Sequence, residues 1–314
     1  MRAFVFPGQG AQTIGMGKAL AEAYPAAQAV FDEVDEALGE KLSALIWEGD
    51  IAELTLTANA QPALMATSLA VVRALEAEGV AIGAAAFVAG HSLGEYSALA
   101  AAGAFSLADT ARLLRIRGRA MQEATPVGEG AMAAILGLEL AAVQEIAAAA
   151  AAGDGICQAA NDNDPAQVVV SGTKAAVERA VEIAKDKGAK RALLLPVSAP
   201  FHCALMAPAA EVMARALADV TINAPAVPVV SNVLAGPVTE PAQIRELLIK
   251  QVTGAVRWRE SVMWMAAQGV TETYEIGAGK ALSGMIKRID REIAAQAVGT
   301  PEDVLAAATA LKQN

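Results

Sequence analysis

Phe87-Val88-Ala89-Gly90-His91-Ser92-Leu93-Gly94-Glu95-Tyr96 joins a short apolar run to a helix-forming one through Gly-x-Ser-x-Gly. This is the layout of a nucleophile elbow, where a strand turns into a helix within two or three residues. Such a bend forces its central residue into a strained backbone conformation, and small residues at Gly90 and Gly94 let neighbouring backbones pass closely. It lifts the Ser92 hydroxyl above the strand ends. It also sets Ser92 at a helix N-terminus, where free N–H groups, notably that of Leu93, can stabilise a developing oxyanion. An ordinary tight turn is the plain alternative; the strand on one side and a helix over 93–102 on the other favour the elbow.

Outward from that bend, residues 3–6 read as a short buried strand ended by the loop Pro7-Gly8-Gln9-Gly10-Ala11-Gln12. Helical patterns follow from about Met16 and over 25–45, and Gln61-Pro62-Ala63 opens another helix with Pro62 in its first turn. This alternation predicts an α/β fold, a hydrolase-like, doubly wound, mostly parallel sheet. It stops at Pro126-Val127-Gly128-Glu129-Gly130, a turn-rich boundary. Beyond it come a strand (131–136), a helix (140–152), a strand (156–160), a turn at 161–165, a strand (167–171), a helix (174–187) and a strand (191–196). That βαββαβ order predicts a ferredoxin-like subdomain over 127–197, inserted into a large catalytic subdomain made of 1–126 and 198–314. The chain then returns to the main sheet with a helix (205–218), a strand (227–231), a helix (241–251) and a strand (273–276). Gly277-Ala278-Gly279-Lys280, before the last major helix, lacks phosphate-loop spacing and reads as a glycine turn.

Composition sets the outer bounds. At 314 residues the chain can bury a large core without staples, and its apolar excess is alanine, which suits helices packed closely on a sheet. Cys157 and Cys203 form no Cys-x-x-Cys or Cys/His cluster, so neither a disulfide framework nor a metal site is indicated, and a reducing, cytoplasmic setting is expected. No signal-peptide core and no membrane-length apolar run is present. A net charge of -10 argues against nucleic acid as the main partner.

A serine hydroxyl needs a base at neutral pH, and the chain holds only two histidines. His91 adjoins Ser92 and should point away from its hydroxyl, since neighbouring side chains at a strand end face opposite ways. That leaves His202, in the loop 198–202 between a strand end and a helix start, where sites form in α/β sheets. On a helical wheel over 109–123, Leu113, Leu114, Ile116, Ala120 and Met121 share one arc with Arg117 near its middle, and Arg112, Arg115 and Arg119 lie on the other side. An arginine at the centre of an apolar face must be paired. Either an internal salt bridge holds it, or its fork is kept for a substrate carboxylate.

Several stretches together resemble a known family, the malonyl-CoA:acyl-carrier-protein transacylases of fatty acid synthesis and the related acyltransferase domains of polyketide synthases. They are Phe6 to Gln12, Gly90 to Ala98, Arg117-Gly118, Gly130 to Ile135, Pro196-Val197-Ser198 with His202, Pro228 to Asn232 and Gly277 to Lys280, which span essentially the whole chain. The resemblance implies that Ser92 carries the malonyl group, with His202 as general base and then acid. It implies an oxyanion hole from the backbone N–H groups of Gln9 and Leu93, Arg117 on the malonyl carboxylate, and the Gln251 carbonyl orienting His202. It also implies that malonyl-CoA and acyl carrier protein are partners, and that coenzyme A and phosphopantetheine thioesters act as substrates, with no cofactor or metal. Asn161 and Asn163 fall in a family stretch beside the cleft, yet read first as turn residues. Phe201, before the histidine, resembles malonyl-specific polyketide acyltransferases, and its ring should crowd an α-methyl branch. A serine thioesterase on the same elbow and a non-catalytic carrier-binding module remain alternatives. Because carrier proteins are acidic, docking is expected on a basic edge, either Lys187, Lys190 and Arg191 or Lys287, Arg288 and Arg291.

Overall fold

Ala3 to Phe6 are all at most 2% exposed, which requires a strand covered on both faces. In the computed structural model, which describes residues 1–312 except Asp154 and Ser198, that strand is central. The strands are β1 (Arg2–Phe6), β2 (Phe87–Gly90), β3 (Gly130–Leu136), β4 (Cys157–Asp164), β5 (Gln167–Thr173), β6 (Arg191–Leu194), β7 (Val229–Ser231), β8 (Gly236–Val238), β9 (Glu272–Ile276) and β10 (Ala294–Val298). The main sheet runs β10-β9-β1-β2-β7-β8, parallel except for β8, which returns on β7 as a hairpin.

The period-2 alternation along β1 divides the core. Phe4 and Phe6 join one apolar cluster with the helices Pro25–Leu38, Thr57–Ala77, Leu93–Ala101 and Leu107–Glu123. Ala3 and Val5 face the other way, onto Trp258 and Met265 of the helix Trp258–Ala267 and Leu282 and Ile286 of the helix Ala281–Ile289. The result is a doubly wound, three-layer α/β unit. The second sheet, β4-β5-β3-β6, is antiparallel with the connectivity of a ferredoxin-like fold. Ala133, Ile135, Val168 and Val170 pack beneath its two helices, Leu140–Ala150 and Lys174–Asp186. The alternate residues Met132, Ala134 and Val169 face the large unit and join its core.

Four local expectations are corrected. The helical run over 25–45 is broken at Gly39, whose φ of 66° ends the first helix, and a separate helix follows at Leu42–Glu48. The proline helix begins at Thr57, so Pro62 lies inside it rather than in its first turn. Pro62 has no N–H for the Ala58 carbonyl four residues back, and Arg115 Nη1 donates to that carbonyl instead, at 2.6 Å. The same contact corrects the wheel: Arg115 is buried, while Ile116, placed on the apolar arc, is 36% exposed. Finally, the expected turn at 161–165 is the end of β4, carried as a bulged strand through Asp164. The helix Trp258–Ala267, β8, β10 and the helix Pro301–Lys312 were not anticipated.

The β4 correction has a physical cause. Asn-Asp-Asn-Asp has turn chemistry only while its polar groups lack tertiary partners. Here Asp162 pairs with Arg259 at 3.0 Å, Asp164 with Arg288 at 2.8 Å, and Asn163 Oδ1 meets His91 Nε2 at 2.8 Å. Backbone bonds Asp162 N→Val256 O and Val256 N→Ala160 O tie the strand to the large unit. Arg288, expected on a docking edge, is thereby committed to bracing the two units.

Candidate active site

The elbow is strained as its pattern requires: Ser92 has φ 56° and ψ −112° at the N-terminus of the helix Leu93–Ala101. Two glycines make the bend possible. A Cβ on Gly90 would lie 1.9 Å from the Gly94 carbonyl oxygen, and one on Gly94 would lie 2.3 Å from that of Phe6. The loop after β1 is equally close, since a Cβ on Gly8 would meet the His91 carbonyl oxygen at 2.7 Å. Backbone therefore packs on backbone around Ser92.

Ser92 Oγ lies 2.7 Å from His202 Nε2. His202 Nδ1 faces the carbonyl oxygens of Gln251, at 2.9 Å, and Gly254, at 3.1 Å. Carbonyls only accept, so Nδ1 holds the proton and Nε2 presents its lone pair to the serine hydroxyl. His202 itself has φ 57°, a second strained residue aimed at the same point. Burial, reinforced by the positive charge of Arg117, lowers its pKa from 6.5 to about 3. The imidazole is neutral and ready to accept.

Arg117 is 1% exposed, and its hydrogen bonds go to neutral acceptors. Nη1 donates to Gln61 Oε1 at 2.7 Å; Nη2 donates to Gln251 Oε1 at 2.8 Å and to Ser92 Oγ at 3.1 Å. Its guanidinium carbon stands 5.5 Å from the centre of the Tyr96 ring. Among the described residues no carboxylate forms an ion pair with it, although the buried Glu95 carboxylate lies near enough to favour its charge. A buried guanidinium beside a nucleophile, hydrogen-bonded only to neutral groups, has the chemistry to take up an anion. Gly118 lets its helix approach closely, because a Cβ there would lie 2.6 Å from Ala58 Cα.

Ser92, His202, Arg117, Gln9 and Leu93 line one cavity of about 440 Å³, floored by the elbow and roofed by Met132 and Val169 of the small sheet. Leu93 opens its helix and so has an N–H free of intrahelical bonding. The Gln9 side chain is anchored on Thr57 Oγ1 at 3.0 Å, which steadies the loop that carries its backbone N–H. Gln251 contributes more than a carbonyl: its side chain touches Arg117, the Ser92 carbonyl oxygen and Glu95. Phe201, largely buried, lines the cavity beside His202. His91 lines it too, held by Asn163 and not by Ser92. Ser198, quoted in a family stretch, lies outside the described residues.

Four contributors had no role in the sequence reading. Gln61 and Gly254 carry no spacing signal at all. Asn232, which accepts from the Ser92 N–H at 2.8 Å and donates to the Gly90 carbonyl at 2.6 Å, sits at the end of β7. Glu95 lies behind the elbow, with burial pushing its carboxyl up to about 7. A polar residue just past a buried strand was the only available hint for Asn232. No group of three or more His, Cys, Asp or Glu side chains suited to a metal ion occurs among the described residues.

A family model for the acyl transferase domain matches residues 3–298. A malonyl CoA-acyl carrier protein transacylase of Bacillus subtilis is 51% identical over 311 residues, covering 99% of this chain and 97% of that protein. The crystal structure of an acyl-carrier-protein S-malonyltransferase from Bartonella henselae superposes with a TM-score of 0.97 at 58% identity, covering 99% of each chain. A malonyl-transacylase in complex with its type II polyketide acyl-carrier protein superposes with a TM-score of 0.95 at 43% identity, covering 100% of this chain and 99% of that one. With its elbow, its buried arginine and a full-length match in both sequence and structure, the chain belongs to the acyl transferase domain family.

Proposed function

We infer that the protein transfers the malonyl group of malonyl-CoA to the phosphopantetheine thiol of an acyl carrier protein, in fatty acid biosynthesis, through an ester on Ser92. One observation carries this reading: a buried guanidinium hydrogen-bonded to neutral groups stands 3.1 Å from the same oxygen that a neutral imidazole holds at 2.7 Å. The nucleophile, its base and an anion receptor thus meet at one atom.

In the first half-reaction Ser92 Oγ attacks the thioester carbonyl as its proton passes to His202 Nε2. The N–H groups of Gln9 and Leu93 receive the oxyanion, and Arg117 holds the far carboxylate. Collapse breaks the C–S bond, and His202 returns the proton to the leaving thiolate, giving free coenzyme A. In the second half the carrier thiol gives its proton to His202, its sulfur attacks the ester, and collapse restores Ser92 with that proton. A neutral carbonyl behind His202 suits this shuttle, since it fixes the tautomer without a third acid. Coenzyme A and phosphopantetheine thioesters are substrates here, and no cofactor or metal takes part. We place the reaction in the cytoplasm: Cys157 and Cys203 are free thiols, and among the described residues no helix is long and apolar enough to cross a membrane.

Intact mass after mixing with malonyl-CoA tests the reading. A malonyl adduct that disappears in Ser92→Ala and discharges onto added carrier protein is expected. Absence of an adduct would point to a non-catalytic module, and release of free malonate to a thioesterase. Polyketide supply is a second reading, favoured by the solved relative bound to a polyketide carrier; discharge rates onto fatty acid and polyketide carriers separate the two.

The low imidazole pKa has its own consequence. kcat/KM reports groups of the free enzyme, so it is expected to stay nearly level from about pH 8 down to about pH 5, with no step near the ordinary imidazole value. The stability linkage has the same sense: a depressed imidazole contributes stability above pH 6.5 that is lost as the pH falls toward about 3. An acid limb centred near 6.5 would show that His202 is not the desolvated base.

A further inference from the structure

Ser92-Leu93-Gly94-Glu95 has the spacing of a capping box, in which the serine hydroxyl accepts from the N–H three residues on and the glutamate reaches back to the serine N–H. Neither side-chain bond forms. Ser92 makes no side-chain cap; the Glu95 N–H goes to the Ser92 carbonyl at 3.0 Å, and the Ser92 N–H goes to Asn232 Oδ1 at 2.8 Å. The serine hydroxyl is thereby left to His202, and the glutamate, 2% exposed, is free to turn inward.

What it meets there is the amide of Gln251. Glu95 Oε2 accepts from Gln251 Nε2 at 2.8 Å and from the Asn232 N–H at 3.1 Å. Gln251 Nε2 also donates to the Ser92 carbonyl at 3.0 Å, and Gln251 Oε1 accepts from Arg117 Nη2 at 2.8 Å. A buried amide has two flips, and only this one sets its donor face to three acceptors, Asn232 Oδ1 at 3.3 Å being the third, and its acceptor to the guanidinium.

We propose that Glu95 is a positioning residue for acyl transfer: its Oε2 fixes the flip of the Gln251 amide, which aims Arg117 at the substrate carboxylate and steadies the main-chain carbonyl that orients His202. The proposal rests on the malonyl-transfer reading and adds to it a residue that touches no substrate. What matters is an acceptor at Oε2, and a proton on the other oxygen leaves both bonds intact. Without the acceptor, Gln251 loses the shortest of the bonds that hold its amino end inward, and the reversed amide, which would point N–H groups at a guanidinium, becomes easier to reach.

Glu95→Met and Glu95→Gln fill nearly the same space and differ in the acceptor. Glu95→Met is expected to raise the KM for malonyl-CoA about tenfold or more and to lower the malonyl-to-acetyl transfer ratio by a similar factor. Glu95→Gln should recover most of that loss, which a packing role would not predict. If the methionine variant does not fold, Glu95→Asp retracts the oxygen by one methylene and should still shift the transfer ratio. A wild-type KM and ratio in Glu95→Met, or in Glu95→Asp where it is the variant measured, would overturn the proposal, as would a glutamine variant as impaired as the methionine one. The malonyl adduct on the wild-type protein, measured alongside, separates failure of this idea from failure of the transferase reading.

Discussion

Arg117→Ala is expected to lower kcat/KM for malonyl-CoA by about 10²–10³-fold while changing transfer from acetyl-CoA far less. The buried Glu95 carboxylate acts on the guanidinium only at a distance and forms no ion pair with it, so the substrate carboxylate would be its direct counter-charge, and loss of Arg117 leaves a desolvated anion in a cavity otherwise lined by neutral groups. Acetyl-CoA presents no such charge and now enters a site without an unsatisfied cation. Selectivity should therefore fall faster than activity. A lysine at the position should restore little, because one ammonium cannot reproduce the two-pronged hold of Nη1 and Nη2. Removing the charge also removes one cause of the low His202 pKa, so the acid limb of the residual acetyl reaction should move upward. Equal losses for malonyl and acetyl thioesters would show that Arg117 supports the site without reading the substrate.

Which parts of this site are legible in the chain follows from the kind of signal each residue leaves. The elbow is legible because Gly-x-Ser-x-Gly coincides with a change of period from strand to helix. His202 is legible by counting, since a chain with two histidines leaves one candidate once geometry removes its neighbour. Arg117 is visible as an anomaly on an apolar face, but the wheel cannot tell a salt bridge from a receptor; that needs the identity of its neighbours, Gln61, Gln251 and Ser92, which come from three distant segments. Gln251 is reached only through the family resemblance, and its side-chain contacts with Arg117 and Glu95 leave no mark in sequence spacing. The Asn161-Asp162-Asn163-Asp164 run misleads for the same reason: its turn propensity is overridden by Arg259, Arg288 and His91, all remote in the chain. Local patterns give elements, and the amide network behind the serine is a product of tertiary packing.

The two elbow glycines make the last and sharpest test, because they separate folding from chemistry. Gly90→Ala sets a methyl 1.9 Å from the Gly94 carbonyl oxygen, inside the bend itself, and no side-chain rotation relieves it. It is expected to cost about 3 kcal/mol or more, read as a lowered unfolding midpoint together with loss of the Ser92 adduct. Gly94→Ala directs its methyl elsewhere, 2.3 Å from the Phe6 carbonyl oxygen and 2.9 Å from that of Pro7. Those atoms begin the loop that carries Gln9, so relief moves one proposed oxyanion donor away from the other while Arg117 and its substrate grip stay in place. The oxyanion exists only after attack, so kcat should fall about 100-fold or more with a much smaller change in KM. Gly83→Ala, whose new methyl meets nothing within 4 Å, is the matched control and should leave stability within about 0.5 kcal/mol of wild type. Should Gly94→Ala fold and keep a wild-type kcat, the loop at Gln9 would have no part in stabilising the reacting carbonyl, and the oxyanion would have to be held by Leu93 alone.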